Sequence, residues 1–122
     1  PARLPKDYFS SVAALAGGKP IAVAETCFPA EDLTLPGFER IGKPAWQQDY
    51  VRLLLDESAR LNARFVVWTV PRDYDLLADR AGALFPEFFK IFRDAGLQDG
   101  DGKPRKSFEL WEQWRKLPVA GR

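Results

Sequence analysis

Seventeen carboxylates, three tyrosines, one cysteine and no histidine define what this chain can do chemically. Without histidine there is no Ser/His/Asp or Cys/His couple, and with Cys27 as the lone thiol an ordinary zinc site lacks ligands. Proton transfer and nucleophilic attack are left to carboxylates, lysine and tyrosine. One carboxylate occupies a distinctive position: Glu25 closes the apolar run Pro20–Ala24. A second apolar run, Phe65-Val66-Val67, closes on Trp68. Reactive groups in α/β architectures sit at the carboxyl ends of parallel strands, where loops vary while the sheet holds the strand ends. Glu25 and Trp68 suit such places on two successive strands.

Two readings of each residue stand side by side. Glu25 is either a carboxylate held rigidly as a nucleophile, or a strand-end charge that is solvated or paired with Arg72. Trp68 is either a flat apolar platform for the C–H face of a sugar ring, with Arg72, Asp73, Tyr74 and Asp75 in the next loop as hydrogen-bonding partners, or a core tryptophan. Cys27, beside an apolar strand, reads as packing.

The elements that must position these groups follow from periodicity. Apolar residues recur at helical spacing from Asp7 to Ala16, and Gly17-Gly18 supply a left-handed stop. Residues 20–25 lack alternation, as expected of a parallel strand covered on both faces, with Pro20 tolerated at its start. Phe28 to Pro44, rich in proline and glycine with an acidic pair at Glu31 and Asp32, reads as a long irregular loop. Ala45 to Asn62 is an amphipathic helix with Trp46, Tyr50, Leu53, Leu54, Ser58 and Leu61 on its buried face. Arg64 to Val70 is the second strand, giving a strand, helix, strand unit with the crossover of parallel neighbours. A loop over 72–84 follows. The sequence then predicts a helix over 86–95 stopped by Gly96, with Phe88, Phe89, Ile91 and Phe92 as its bulky side, then a turn at Asp99–Gly102. A last helix over 107–117 has Ser107 as cap and Phe108, Leu110, Trp111, Trp114 and Leu117 inward.

The 122 residues form a single unit, 1–122, large enough for a core but short of the roughly 250 of a complete (β/α)8 barrel. Eighteen basic and seventeen acidic residues are interspersed, which leaves no electrostatic stripe for nucleic acid. The Lys103, Arg105, Lys106 group reads as a solvated turn. No apolar run approaches the roughly 20 residues of a membrane span, and the first residues are not a basic-then-apolar leader. No metal and no cofactor is expected.

The segments Gly18–Pro29 (GKPIAVAETCFP), Asn62–Asp75 (NARFVVWTVPRDYD) and Gly96–Trp114 (GLQDGDGKPRKSFELWEQW) resemble the seventh strand, eighth strand and terminal helix of clan A glycoside hydrolases, of the endo-β-1,4-galactanase-like or cellulase-like kind. The resemblance implies an α/β fold that is the carboxyl-terminal part of a (β/α)8 barrel, two parallel strands with three to four helices. It also implies retaining hydrolysis of oligo- or polysaccharides in the parent barrel, Glu25 as nucleophile, Trp68 lining the sugar subsite, and a secreted or periplasmic address. The chain departs from the pattern at one decisive point. The clan's acid/base glutamate follows an asparagine, and here the sole asparagine, Asn62, precedes Ala63. Without a proton donor, unless Glu31, Asp32, Asp73 or Asp75 substitutes, general-acid help of roughly 10²–10⁴-fold is missing. Two strands also leave two open edges, so self-association through strand edges and aromatic helix faces such as Phe88, Phe92, Trp111 and Trp114 is expected. A non-catalytic carbohydrate-binding or self-assembling module is the alternative.

Overall fold

A computed structural model describes residues 4–117 apart from Lys6. Helix α1 (Tyr8–Leu15) stops at Gly17 and Gly18, whose φ of 58° and 80° lie in the left-handed region that glycine enters without steric penalty. Strand β1 (Val23–Thr26) follows, then a hairpin of β2 (Leu33–Leu35) and β3 (Phe38–Arg40), helix α2 (Pro44–Arg60) and strand β4 (Val66–Trp68). Helix α3 (Asp75–Ala81), 3₁₀ turns at Gly82–Leu84 and Glu87–Phe92, and helix α4 (Lys106–Arg115) complete the order.

β1 and β4 pair in parallel, Val23 opposite Val66 and Thr26 opposite Trp68. Four residues of β1 thus span three of β4, and β1 bulges. The chain between them runs through the hairpin and α2, so the architecture is mixed α/β built on a two-stranded parallel sheet. No closed barrel is formed among the described residues. α2 starts with Pro44 in its first turn, where the missing N–H is no loss, and ends before Asn62, which takes φ 51°.

Three expectations are corrected. The segment 28–44 is not irregular throughout: Leu33–Leu35 and Phe38–Arg40 pair antiparallel around Gly37 (φ 73°), and the hairpin rests on the 3₁₀ turn Glu87–Phe92. The loop over 72–84 contains α3. The expected helix over 86–95 is a 3₁₀ stretch that buries Phe92 and leaves Phe88 69% exposed. Its four aromatic or aliphatic residues in five positions give bulk on every side, not one face, so no single stripe can be buried.

The core is Phe28, Val51, Leu54, Leu55, Trp68 and Leu97, with Tyr50, Phe108, Trp111 and Trp114 packed on it where α2 meets α4. The buried face of α2 is Gln47, Val51, Leu54, Leu55 and Ser58, rotated from the expected one; Trp46 lies at the surface under the Lys43 ammonium. The rotated face carries a polar centre, Gln47. Its fully buried Nε2 donates to the carbonyls of Phe28 (3.0 Å), Gly96 (3.0 Å) and, more distantly, Ala95 (3.4 Å), and its Oε1 accepts from the Ser107 hydroxyl at 2.6 Å. Ser107 therefore does not cap α4; it ties α4 to α2. Gln47→Leu strands these carbonyls and the Ser107 hydroxyl in an apolar interior. We expect a loss of at least about 2 kcal/mol by urea unfolding, far more than Gln48→Leu on the same helix. Equal stabilities would remove the polar tie from this account.

Candidate functional site

The carboxyl ends of β1 and β4 lie side by side, because Thr26 is in register with Trp68 and the Thr69 N–H donates to the Thr26 carbonyl at 2.9 Å. Glu25 is exposed and has no hydrogen-bond or ion-pair partner among the described residues. It lines one end of a groove of about 340 Å³ between α1 and β1, with Tyr8, Phe9 and Val12 on the opposite wall. The alternative pairing of Glu25 with Arg72 does not form. Arg72 is turned away, its Nε donating to the Gly100 carbonyl at 2.8 Å and its Nη2 to the same oxygen.

Trp68 is 7% exposed. Its Nε1 donates to the Ala95 carbonyl at 2.9 Å, and its ring packs beside Tyr50 and edge-on to Trp111. In this chain no face of the indole is open to a pyranose, so the platform expected from sequence is a core tryptophan. The reason lies in the alternation of β4: Val66 and Trp68 face α2 and α4, and Phe65 and Val67 face outward and are exposed.

Asp73 and Tyr74 are likewise drawn into structure. Asp73 Oδ2 pairs with Arg105 Nη2 at 2.7 Å, and its Oδ1 accepts the Gly96 N–H at 2.6 Å. Burial pushes this carboxyl above the usual aspartate range against the pull of the Arg105 guanidinium. Arg105 also donates to the Gly96 carbonyl at 3.2 Å. Gly96, expected as a helix stop, is a glycine for another reason: a Cβ there would overlap the Asp73 nitrogen and the Gln98 carbonyl. Tyr74 packs edge-on to Phe92. Oxygens of Asp73, Asp75 and Asp94 lie within 4.8 Å of one another. Arg105 and the Gly96 N–H already occupy Asp73, the Leu76 N–H occupies Asp75 Oδ1, and Arg93 pairs with Asp94 at 3.2 Å, so each carboxylate of the cluster already has a partner within the chain.

Two residues that act on the chain neighbours of Glu25, Thr26 and Cys27, were not legible as site residues. Arg40, brought back by the hairpin, lies over the rings of Phe28 and Phe38, at 5.6 and 5.9 Å. Tyr50 shares a 2.7 Å hydrogen bond with the Thr26 hydroxyl, and burial raises its phenol. Cys27 reads both neighbouring charges: burial and the Glu25 carboxylate raise its thiol, and the Arg40 guanidinium opposes them. The glycine-bearing turn at Gly37 was the only trace in the sequence that the segment folds back.

The arrangement thus provides a strand-end carboxylate that is unpartnered among the described residues, a guanidinium on aromatic rings that acts on the adjacent Cys27, and no second free carboxyl shown facing Glu25. Comparison of the chain with protein-family models, with curated proteins and with solved structures gives no match. Since only the thiolate alkylates, Glu25→Gln is expected to move the pH midpoint of Cys27 alkylation by iodoacetamide downward and Arg40→Gln to move it upward. Midpoints unchanged in both variants would separate the three side chains.

Proposed function

We propose that this chain is the closing segment of a carbohydrate-active (β/α)8-type barrel, in which Glu25 is the nucleophilic carboxylate of a retaining glycosidase, and that the chain alone binds sugar weakly without cleaving it. The observation that carries this reading is the parallel pairing of β1 and β4 across α2, which puts Glu25 and the Trp68 terminus of β4 on one rim. The outward residues Ala22, Ala24, Phe65 and Val67 are exposed on this sheet. A parallel sheet is ordinarily extended and covered on both faces, so a bare apolar face and open edges are what a barrel segment presents before its remaining strands, from further chain or from other copies, pack on it.

Retaining cleavage needs two carboxyl groups about 5–5.5 Å apart, one attacking and one protonating the leaving oxygen. Of the substitutes weighed above, Asp73 is committed to Arg105 and the Gly96 N–H, Asp75 Oδ1 to the Leu76 N–H and Asp32 Oδ1 to the Gly42 N–H, so we assign Glu25 no proton-donating partner in the isolated chain. The burial of Trp68 favours the second reading, a non-catalytic carbohydrate-binding or self-assembling module, because the stacking surface is then not the strand-end tryptophan.

Titration with β-1,4-linked galacto- and cello-oligosaccharides, followed by amide NMR shifts and by release of reducing ends, decides the matter. Expected are millimolar-range shifts around Glu25 and Arg40, no reducing ends, and binding that survives Glu25→Gln. Reducing-end release that disappears in Glu25→Gln would make the isolated chain an enzyme. No shift anywhere with either sugar would end the carbohydrate reading.

A further inference from the structure

We propose that two copies of this chain associate about a twofold axis through the segment that follows α3, the Phe88 ring of each copy entering the apolar groove between α3 and the 3₁₀ turns of the other. The inference rests on the self-assembling reading above and gives it a surface outside the sheet.

The surface arises because residues 84–92 carry more apolar bulk than one short 3₁₀ stretch can turn inward. Phe85 and Phe92 are buried, whereas Leu77, Leu84, Phe88 and Phe89 are 54%, 88%, 69% and 43% exposed. These four are contiguous. Leu77, Leu84 and Phe89 line one groove together with Ala81 and Phe85, and the Phe88 ring stands edge-on to Phe89 at 6.0 Å. Their exposed fractions amount to roughly 500 Å² of apolar surface, toward the upper end of the largest patch a monomer ordinarily shows. Two such faces brought together remove roughly 1,000 Å² from water, the size at which a specific interface becomes stable.

Shape and charge identify the occupant as a second copy. A twofold contact joins a surface to itself, so projection and recess must lie on the same face. Phe88 is the projection: its ring is held edge-on by Phe89 and Phe92 and takes no part in the wall of its own groove. The groove is the recess. At about 340 Å³, with Tyr74 its only polar lining residue, it exceeds the roughly 150 Å³ in which an apolar cavity holds benzene. A net charge on this face would meet the same sign on the other copy. Residues 75–93 carry none: Asp75, Asp79 and Glu87 balance Arg80, Lys90 and Arg93, with Lys90 paired to Glu87 at 2.7 Å and Arg93 to Asp79 at 3.7 Å. A membrane surface or a nucleic acid would call for an excess of Lys and Arg, which this segment lacks.

Sedimentation of the 122-residue chain across a dilution series, with circular dichroism of each variant, tests this. The wild type is expected as a reversible dimer. F88A removes the projection, A81F fills the recess and L84D puts a charge into the contact. Each should weaken the dimer by about tenfold or more and leave the circular dichroism of the monomer unchanged. L15D, at a leucine equally exposed on α1, should leave the dimer intact. F88A mixed with A81F should dimerise more tightly than either variant alone, because one intact projection then meets one intact recess. A wild type that is monomeric at every concentration overturns the inference and self-assembly together. An oligomer indifferent to F88A, A81F and L84D overturns this surface and leaves self-assembly standing elsewhere on the chain. A mixture no tighter than its two components overturns the insertion of Phe88. The readout contains no sugar, so the carbohydrate reading stands or falls separately on the oligosaccharide titration.

Discussion

The carbonyls of Phe28, Ala95 and Gly96 have no strand or helix partner for Gln47, Trp68 and Arg105 to compete with, and the rest of the structure depends on those side chains reaching them. Gln47 from α2 donates to all three, Trp68 from β4 donates to Ala95, and Arg105 from the start of α4 donates to Gly96. A buried carbonyl left unmet costs about 1–3 kcal/mol, so the irregular segment 95–97 can be interior only because three elements converge on it. Convergence then sets their mutual positions: α2 against α4 through Gln47 and Ser107, and β4 against both through the indole of Trp68.

This tie explains which of the strand-end groups remain available. Trp68 is consumed as a strut, Arg72 holds the Gly100 carbonyl, and Asp73 neutralises Arg105. Glu25, on the strand that the tie does not reach, keeps its carboxylate exposed. The bulge in β1 accompanies this difference, since β4 is anchored by its side chains and β1 must accommodate an extra residue between Val23 and Thr26.

The sheet is the opposite case. Its inner face is packed by Val23, Val66 and Trp68 against the helices, Ala24 and Val67 are exposed on its other side, and no further described strand pairs with its edges. Parallel pairing is stabilised mainly by burial on both sides, so a two-stranded parallel sheet is complete only in the company of more chain or more copies. That requirement follows from strand chemistry and holds whether or not sugar is the ligand.

Much of this was legible from residue types and spacing. The unalternated runs ending at Glu25 and Trp68 marked two parallel strands, Gly17-Gly18 marked the end of α1, and the periodicity after Pro44 marked α2, because each of these signals is local to the backbone that obeys it. The hairpin at 33–40 escaped because three-residue strands carry too short an alternation to rise above their turn residues. The burial of Gln47 escaped because a polar side chain on a helix face reads as solvent-facing until its partners, 48 and 60 residues away for Ala95 and Ser107, are brought to it. The sequence by itself determined α1, the two parallel strands, α2, α4 and the absence of histidine chemistry, properties that reside in single residues and their near neighbours. Only the tertiary structure decided that Trp68 is core, that Asp73 belongs to Arg105 and that Glu25 stays open, because each depends on which distant donor or acceptor reaches a buried group first.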